Sequence, residues 1–425
     1  MHIITVQESF LEVISEVESG KIDQEPIWVA RRDTKHEESS ELYSIVVSIK
    51  HGHLALTMGE SSPHHIEMVR NNSYKFTMTI EDTNGRHVYS LFFPKSKLHL
   101  GLRSSKISTC AISPNGSRLL VGTDSGSILQ YDTATEKLLG KIDDAHLADV
   151  AHLTVLPSSQ VMMSVGTDLQ TKLWPLGPTP VSSPARVFAE QKDQISDLAI
   201  IDRGRNFLTA SREGSVLLWE CSTGQVVSTF RRIDNFNDPV TCMALAEGEP
   251  VSAENTVGGD LLFGCSNKLL YVGYKSGIVQ QYSVAGHYQT GIRFQRPSEV
   301  SLLLVESAYL LAGYSDGLLR IYDISGSSQK TGTKQGQDTA ASYWDLQLNP
   351  NFPIECATVH KRENSETGLL LVVSNGPELL LRVDFDGTNF QTSQLIGLSE
   401  MFRIVSMGSN GDKTFVATEN EIVQY

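Results

Sequence analysis

Four histidines, His51, His53, His64 and His65, fall within one short polar stretch. Imidazole is a common metal ligand, so the cluster is a candidate site. No Cys or carboxylate stands beside it at a ligand spacing, so surface histidines are expected and no metal is assigned. The five cysteines, Cys110, Cys221, Cys242, Cys265 and Cys356, are odd in number and scattered, with no Cys-x-x-Cys pair. Free thiols in a reducing compartment fit this usage better than a disulfide framework. The chain has no Gly-x-x-x-x-Gly-Lys-Ser/Thr loop, no Gly-x-Gly-x-x-Gly and no His-Glu-x-x-His. No catalytic residue, no cofactor and no enzymatic activity are therefore expected. The run Asp202-Arg203-Gly204-Arg205-Asn206 reads as a turn, with Gly204 supplying a positive φ and Arg205 bonding to a neighbour. The rival reading is a partner contact.

Charge narrows the partners. The 425 residues carry 49 acids against 35 Lys and Arg, a net of −14. Residues 1–60 hold 11 acids and 5 bases, and residues 338–425 hold 12 acids and 5 bases, so the acidity sits at the two ends. Nucleic acid and anionic membranes attract basic surfaces, so neither is an expected partner. No apolar run reaches the roughly 18 residues of a membrane helix, and no basic-then-apolar leader opens the chain. A basic protein partner, or solubility alone, accounts for the acidity.

The elements that must position these residues repeat along the chain. Val121–Asp132, Ser164–Trp174, Thr209–Glu220, Tyr271–Tyr282 and Leu311–Asp323 each read as an apolar strand, a small or polar turn, and a second strand closed by an aromatic. Weaker copies end at Val383-Asp384 and Tyr425. The closing positions 131, 174, 219, 282, 322, 383 and 425 are spaced by 43, 45, 63, 40, 61 and 42 residues. Four intervals match the roughly 40–45 residues of a four-stranded propeller blade. Polar insertions at 247–260, 325–339 and 361–367 absorb the excess. The reading is an all-β, seven-bladed propeller over residues 86–425. An N-terminal strand such as His87–Phe93 would close the last blade, because closure removes exposed edges. Residues 1–85 look different. Phe10, Leu11, Ile14 and Val17 share one helical face, and strand-like runs follow, so a small mixed α/β N-terminal domain is expected.

The repeats resemble the WD-repeat family. In the second, His146, Ser164, Asp168 and Trp174 match the spacing of that family's buried hydrogen-bond tetrad. The others are degenerate, and none of the seven repeats closes on a Trp-Asp dipeptide. Residues 140–230, from Asp143-Asp-Ala-His146 through the Asp202–Asn206 run to Trp219-Glu220-Cys221, are similar to the proteasomal ATPase-associated factor family. Members are WD-repeat chaperones of proteasome regulatory-particle assembly. The resemblance implies a non-catalytic protein of cytoplasm and nucleus, and a closed propeller gives no reason to expect more than a monomer. Its partner would be the C-terminal domain of an AAA-ATPase subunit, regarded as the sixth regulatory ATPase.

In a WD-like blade, the turn between the second and third strands and the loop leading into each blade share one rim. That places Glu378, Glu419 and Glu421 in or beside rim turns, with Asp345 and Glu400 near blade starts. They would form an acidic arc beside Trp344, with Asp316 in the neighbouring turn, able to steer a basic partner. The alternative is another WD-repeat scaffold, such as a ubiquitin-ligase substrate receptor or a histone-tail reader. Phosphodegron readers need an Arg cluster on this rim, and only Arg212 is expected there.

Overall fold

A computed structural model describes residues 2–425 apart from 35, 101, 103–104, 178–180, 250–260, 326–341, 362–367, 378, 399–402 and 412. The first four-stranded antiparallel sheet runs Ile107–Ile112, Arg118–Thr123, Ile128–Asp132 and Leu138–Ile142. The same order recurs over residues 150–188, 195–231, 240–295 and 300–347. The next four strands are Ile354–Lys361, Leu369–Asn375, Leu380–Phe385 and Phe390–Leu395. The last sheet joins Ile404–Asn410, Lys413–Thr418 and Glu421–Gln424 to the distant Ser96–His99.

Burial explains why the middle strands read as unbroken apolar runs. Asn206–Ser211 and Ser215–Glu220 are buried at every position, because a sheet lies on each side. The outer Val226–Arg231 keeps mostly exposed or half-buried residues. First strands pack on one another in chain order, and Ile404–Asn410 returns to Ile107–Ile112. In the second to seventh sheets the first strand carries a bulge one residue in, as between Val150 and His152 or Val240 and Cys242. The displaced residue can reach the next sheet: Thr241 Oγ1 donates to the Val300 carbonyl at 2.6 Å.

The N-terminal residues form two layers. One is the sheet His2–Val6, Gln24–Asp33, His36–Lys50 and His53–Met58. The other is His65–Arg70, Lys75–Asp82 and Gly85–Phe92, which extends the sixth sheet to seven strands. The junction is parallel, with Gln394 opposite Leu91 and Leu395 opposite Phe92. The helix Phe10–Glu18 buries Phe10, Val13, Ile14 and Val17. Leu11, expected on that face, is only half-buried, because positions 10, 13, 14 and 17 form the tighter helical stripe. Gln394 ties the free edge of His2–Val6 to the sixth sheet. Its amide donates to the His2 carbonyl at 2.8 Å and accepts from the Ile4 N–H at 2.9 Å.

One strand assignment needs correcting. Gly85–Phe92 does not close the last sheet; it pairs with Lys75–Asp82 and with the sixth sheet. The chain then passes Pro94, which has no N–H to continue a ladder. Ser96–His99 crosses to the seventh sheet and supplies its outer strand.

Candidate binding rim

The second sheet carries the expected polar tetrad. The Trp174 Nε1–H donates to Ser164 Oγ at 2.9 Å, and Ser164 Oγ lies 2.7 Å from His146 Nε2. His146 Nδ1 lies 2.9 Å from Asp168 Oδ1. Donors and acceptors all match for a neutral imidazole protonated at Nδ1: Trp gives to Ser, Ser to His, and His to Asp. Burial pushes the His146 pKa down, against the pull of Asp168. Asp168 is held below its ordinary value, since hydrogen bonds from His146, Leu147 and Gln170 outweigh its own burial. Gly166 leaves room for the ring; a Cβ there would come within 2.3 Å of His146 Nδ1.

Degenerate sheets solve the same packing problem differently. In the third, the Trp219 Nε1–H donates to Thr209 Oγ1 at 2.8 Å. In the fifth, Tyr322 stands where Trp174 does, and its hydroxyl meets that of Tyr314 at 3.1 Å. Tyr314 occupies the place of Gly166, and Arg296 lies over its ring at 5.3 Å. Arg296 pairs with Asp316 as His146 pairs with Asp168. Tyr274 and Tyr282 repeat the hydroxyl pair at 2.8 Å in the fourth sheet, where Arg232 covers Tyr274.

The nominated acids fare unequally. Glu419 lies in a rim turn and binds Lys106 Nζ at 2.6 Å. Asp316 lies in the matching turn of the fifth sheet, committed to Arg296. Asp345 and Trp344 are not at a sheet start; both lie within the outer strand Tyr343–Gln347. The Asp345 carboxylate is gripped at both oxygens by Arg320, at 2.6 and 2.7 Å. Trp344 is half-buried, packed against Tyr309 and Phe385. Glu421 is buried, because both faces of its strand are covered, Ile422 and Val423 being buried as well. Glu378 and Glu400 lie outside the described residues. The structure thus leaves Glu419 and Asp316 on the rim and removes Trp344, Asp345 and Glu421 from it. Asp143, Asp144 and Asp149, in the loop before the second sheet, are exposed on the same rim, and sequence reasoning passed over them.

Other candidates resolve into structure. In the Asp202–Asn206 run, the Arg205 guanidinium stacks over Phe263, 3.2 Å from the ring centre. Asn206 donates to the Trp219 and Leu261 carbonyls and accepts from the Phe263 N–H. The run fastens the third sheet to a loop of the fourth. His152, Asp197 and Cys242 share one register position in consecutive first strands, a juxtaposition with no sequence signal. Burial raises the Cys242 thiol well above its ordinary range, with the Asp197 charge adding to it, so no activated thiolate is present. Asp197 instead accepts the Leu198 and Met243 N–H groups at 2.8 Å. His51, His53 and His65 lie at strand ends and turns, while His64 Nε2 stands 3.6 Å from Glu41. Also missed was a charged cluster within the N-terminal layers. Arg31 bonds Glu41 at 2.8 Å and Asp82 at 2.5 Å, and Tyr89 meets His2 Nδ1 at 2.8 Å.

Comparison with known proteins agrees with this architecture. Residues 94–132 match the WD domain, G-beta repeat family. That stretch contains the outer strand of the seventh sheet and three strands of the first, so the sequence repeat straddles two sheets. The chain is 28% identical to the Saccharomyces cerevisiae "26S proteasome regulatory subunit RPN14", over 72% of this chain and 73% of that protein. It is 23% identical to the guanine nucleotide-binding protein subunit beta of Oryza sativa subsp. indica, over 43% of this chain and 46% of the relative. A transducin beta-like protein 3 from Bos taurus is 21% identical over 51% of this chain and 26% of its own length. The chain is an all-β protein carrying a WD repeat, built from successive four-stranded antiparallel sheets and similar along most of its length to a proteasome regulatory subunit.

Proposed function

We propose that this chain is a non-catalytic assembly chaperone of the proteasome regulatory particle. On this reading it is a seven-bladed WD-repeat β-propeller behind a small N-terminal domain, acting in the cytoplasm and nucleus. Its partner is the C-terminal domain of a regulatory AAA-ATPase subunit, the sixth being the first candidate. The observation that carries the reading is the similarity to RPN14 over 72% of this chain and 73% of that protein. Supporting it, rim turns hold Glu419 and Asp316, and Asp143, Asp144 and Asp149 add exposed carboxylates. A basic domain would be drawn to this rim and held in register by charge, while its bulk blocks premature contacts. Glu378 and Glu400 remain candidates for the same contact.

The test measures affinity of the full chain for each isolated ATPase C-terminal domain between 50 and 300 mM salt, roughly one to two halvings of the screening length. The reading expects one domain to bind, more weakly as salt rises, and Glu378→Lys with Glu419→Lys to weaken it about tenfold or more. Unchanged affinity in that double variant refutes the acidic rim. Capture of histone-tail peptides but of no ATPase domain refutes the chaperone role.

A further inference from the structure

Another part of the rim has the opposite character. In the loop joining the third and fourth sheets, Ile233 is 66% exposed and Phe236 56% exposed. The fold dictates this. A Cβ on Gly126 would strike the His146 carbonyl, one on Gly277 the Arg296 carbonyl, and one on Gly214 the Phe236 carbonyl. Phe236 therefore holds the loop position of His146 and Arg296, whose side chains turn inward. In the fourth sheet that inner place is taken by Arg232, lying over Tyr274 and paired with buried Asp238. Phe236 is left pointing out.

The loop is braced rather than loose. Asp234 bridges Arg232 at 2.7 Å and Arg293 at 2.8 Å, and the Ser276 N–H donates to Asp238 at 3.2 Å. The Ile233 N–H donates to Gln289 Oε1 at 3.2 Å. An apolar pair on a preformed loop loses little conformational freedom on binding, as interface anchors require. Three exposed cations surround it. Lys275 donates its N–H to Pro239 at the end of the loop, Arg212 lies in the Gly214 turn, and the Lys192 N–H contacts Glu213 of that turn. None of the three has an ion-pair partner among the described residues, whereas the loop's own acids are spent on Arg232, Arg293 and Ser276. Glu190 and Asp193, exposed beside Lys192, offset part of this charge, but the named groups around the aromatic knob keep a small positive balance in a chain of net −14.

We infer that the loop 233–237 with Lys192, Arg212 and Lys275 is a second docking site, for an acidic protein segment bearing a bulky apolar side chain. Its occupant has the opposite charge to the partner of the acidic rim, so the two sites do not compete for one ligand. The inference stands whether or not the ATPase reading holds.

The experiment pans a random 12-residue peptide library on the full chain and on its Phe236→Ser variant. Peptides lost with the variant should be net acidic and contain Leu, Ile, Phe or Trp. The tightest of them should weaken about tenfold with Phe236→Ser and severalfold with Lys275→Glu. Ile233→Ser provides a second variant, and unchanged thermal melting shows that each remains folded. The inference is overturned if no peptide depends on Phe236, or if the dependent peptides are neutral or basic. It is also overturned if oligo-dT or phosphatidylserine vesicles bind with the same Phe236 dependence and acidic peptides do not.

Discussion

Replacing Ser164 by Ala removes one oxygen from the second sheet and strands two polar neighbours. Ser164 is fully buried, with Trp174 2% and His146 1% exposed, so water cannot take its place. The Trp174 N–H loses its acceptor and His146 Nε2 loses its donor. Each buried, unsatisfied group costs about 1–3 kcal/mol, so the variant should lose about 2–6 kcal/mol. Denaturant titration reads this as a lower midpoint at unchanged slope. Ser158→Ala, in an exposed turn, should change stability by less than about 0.5 kcal/mol. Adding Trp174→Phe to Ser164→Ala should cost less than the sum of the two single changes, because one orphan disappears with its partner. If Ser164→Ala costs no more than Ser158→Ala, the tetrad does not hold the sheet together.

Acid should weaken the fold in two stages. His146 has a folded pKa below its unfolded value near 6.5, so below that pH the unfolded chain takes up the proton first and stability falls. Asp168 and Asp82 are both held low, Asp82 at about 2 chiefly by its hydrogen bond to Arg31. Their contributions are complete above about pH 4 and fade as pH falls toward those folded values. Melting followed from pH 8 to pH 3 checks both stages, and His146→Gln should shrink the first, with His2, His152 and His287, whose pKa values burial also lowers, supplying the remainder. Arg232→Ala should destabilise by about 3 kcal/mol or more, since it leaves Asp238 buried without its cation. Asp345→Asn, at a half-exposed pair, should cost under about 1 kcal/mol in the same melting assay. Iodoacetamide at pH 8 should label the native thiols slowly, because burial raises Cys110 and Cys265 to about 11 and Cys221 and Cys356 to about 12. All five should react on unfolding.

What the sequence disclosed follows the range of the interactions. Strand pairs in each repeat are neighbours in the chain, so their apolar runs and closing aromatics are visible in a short window. The His146 tetrad is legible because its spacing lies within one repeat. Asp345 was misread because the loop before it has no fixed length, which hid its place in an outer strand beside Arg320. Glu421 was misread because its polar type argued for exposure, while its strand lies covered on both faces. Arg296 beside Asp316, and Phe236 turned out above Arg232, fill the place of the His-Asp pair with residue types that the repeat pattern does not announce.

The pairing of Ser96–His99 with Glu421–Gln424 has a consequence for how the protein is made. The ion pair at this seam joins Lys106 to Glu419 across 313 positions. At ribosomal rates of about 5–20 residues per second, Ser96–His99 waits some tens of seconds for its mate. In that interval two sheet edges are open, and an open edge invites pairing with other chains. Loop-closure entropy then makes the final seam the slow step of folding. A pulse-chase with protease should show the second to fifth sheets protected before residues 96–99 are. A chaperone of assembly would itself depend on a protected interval before it can serve.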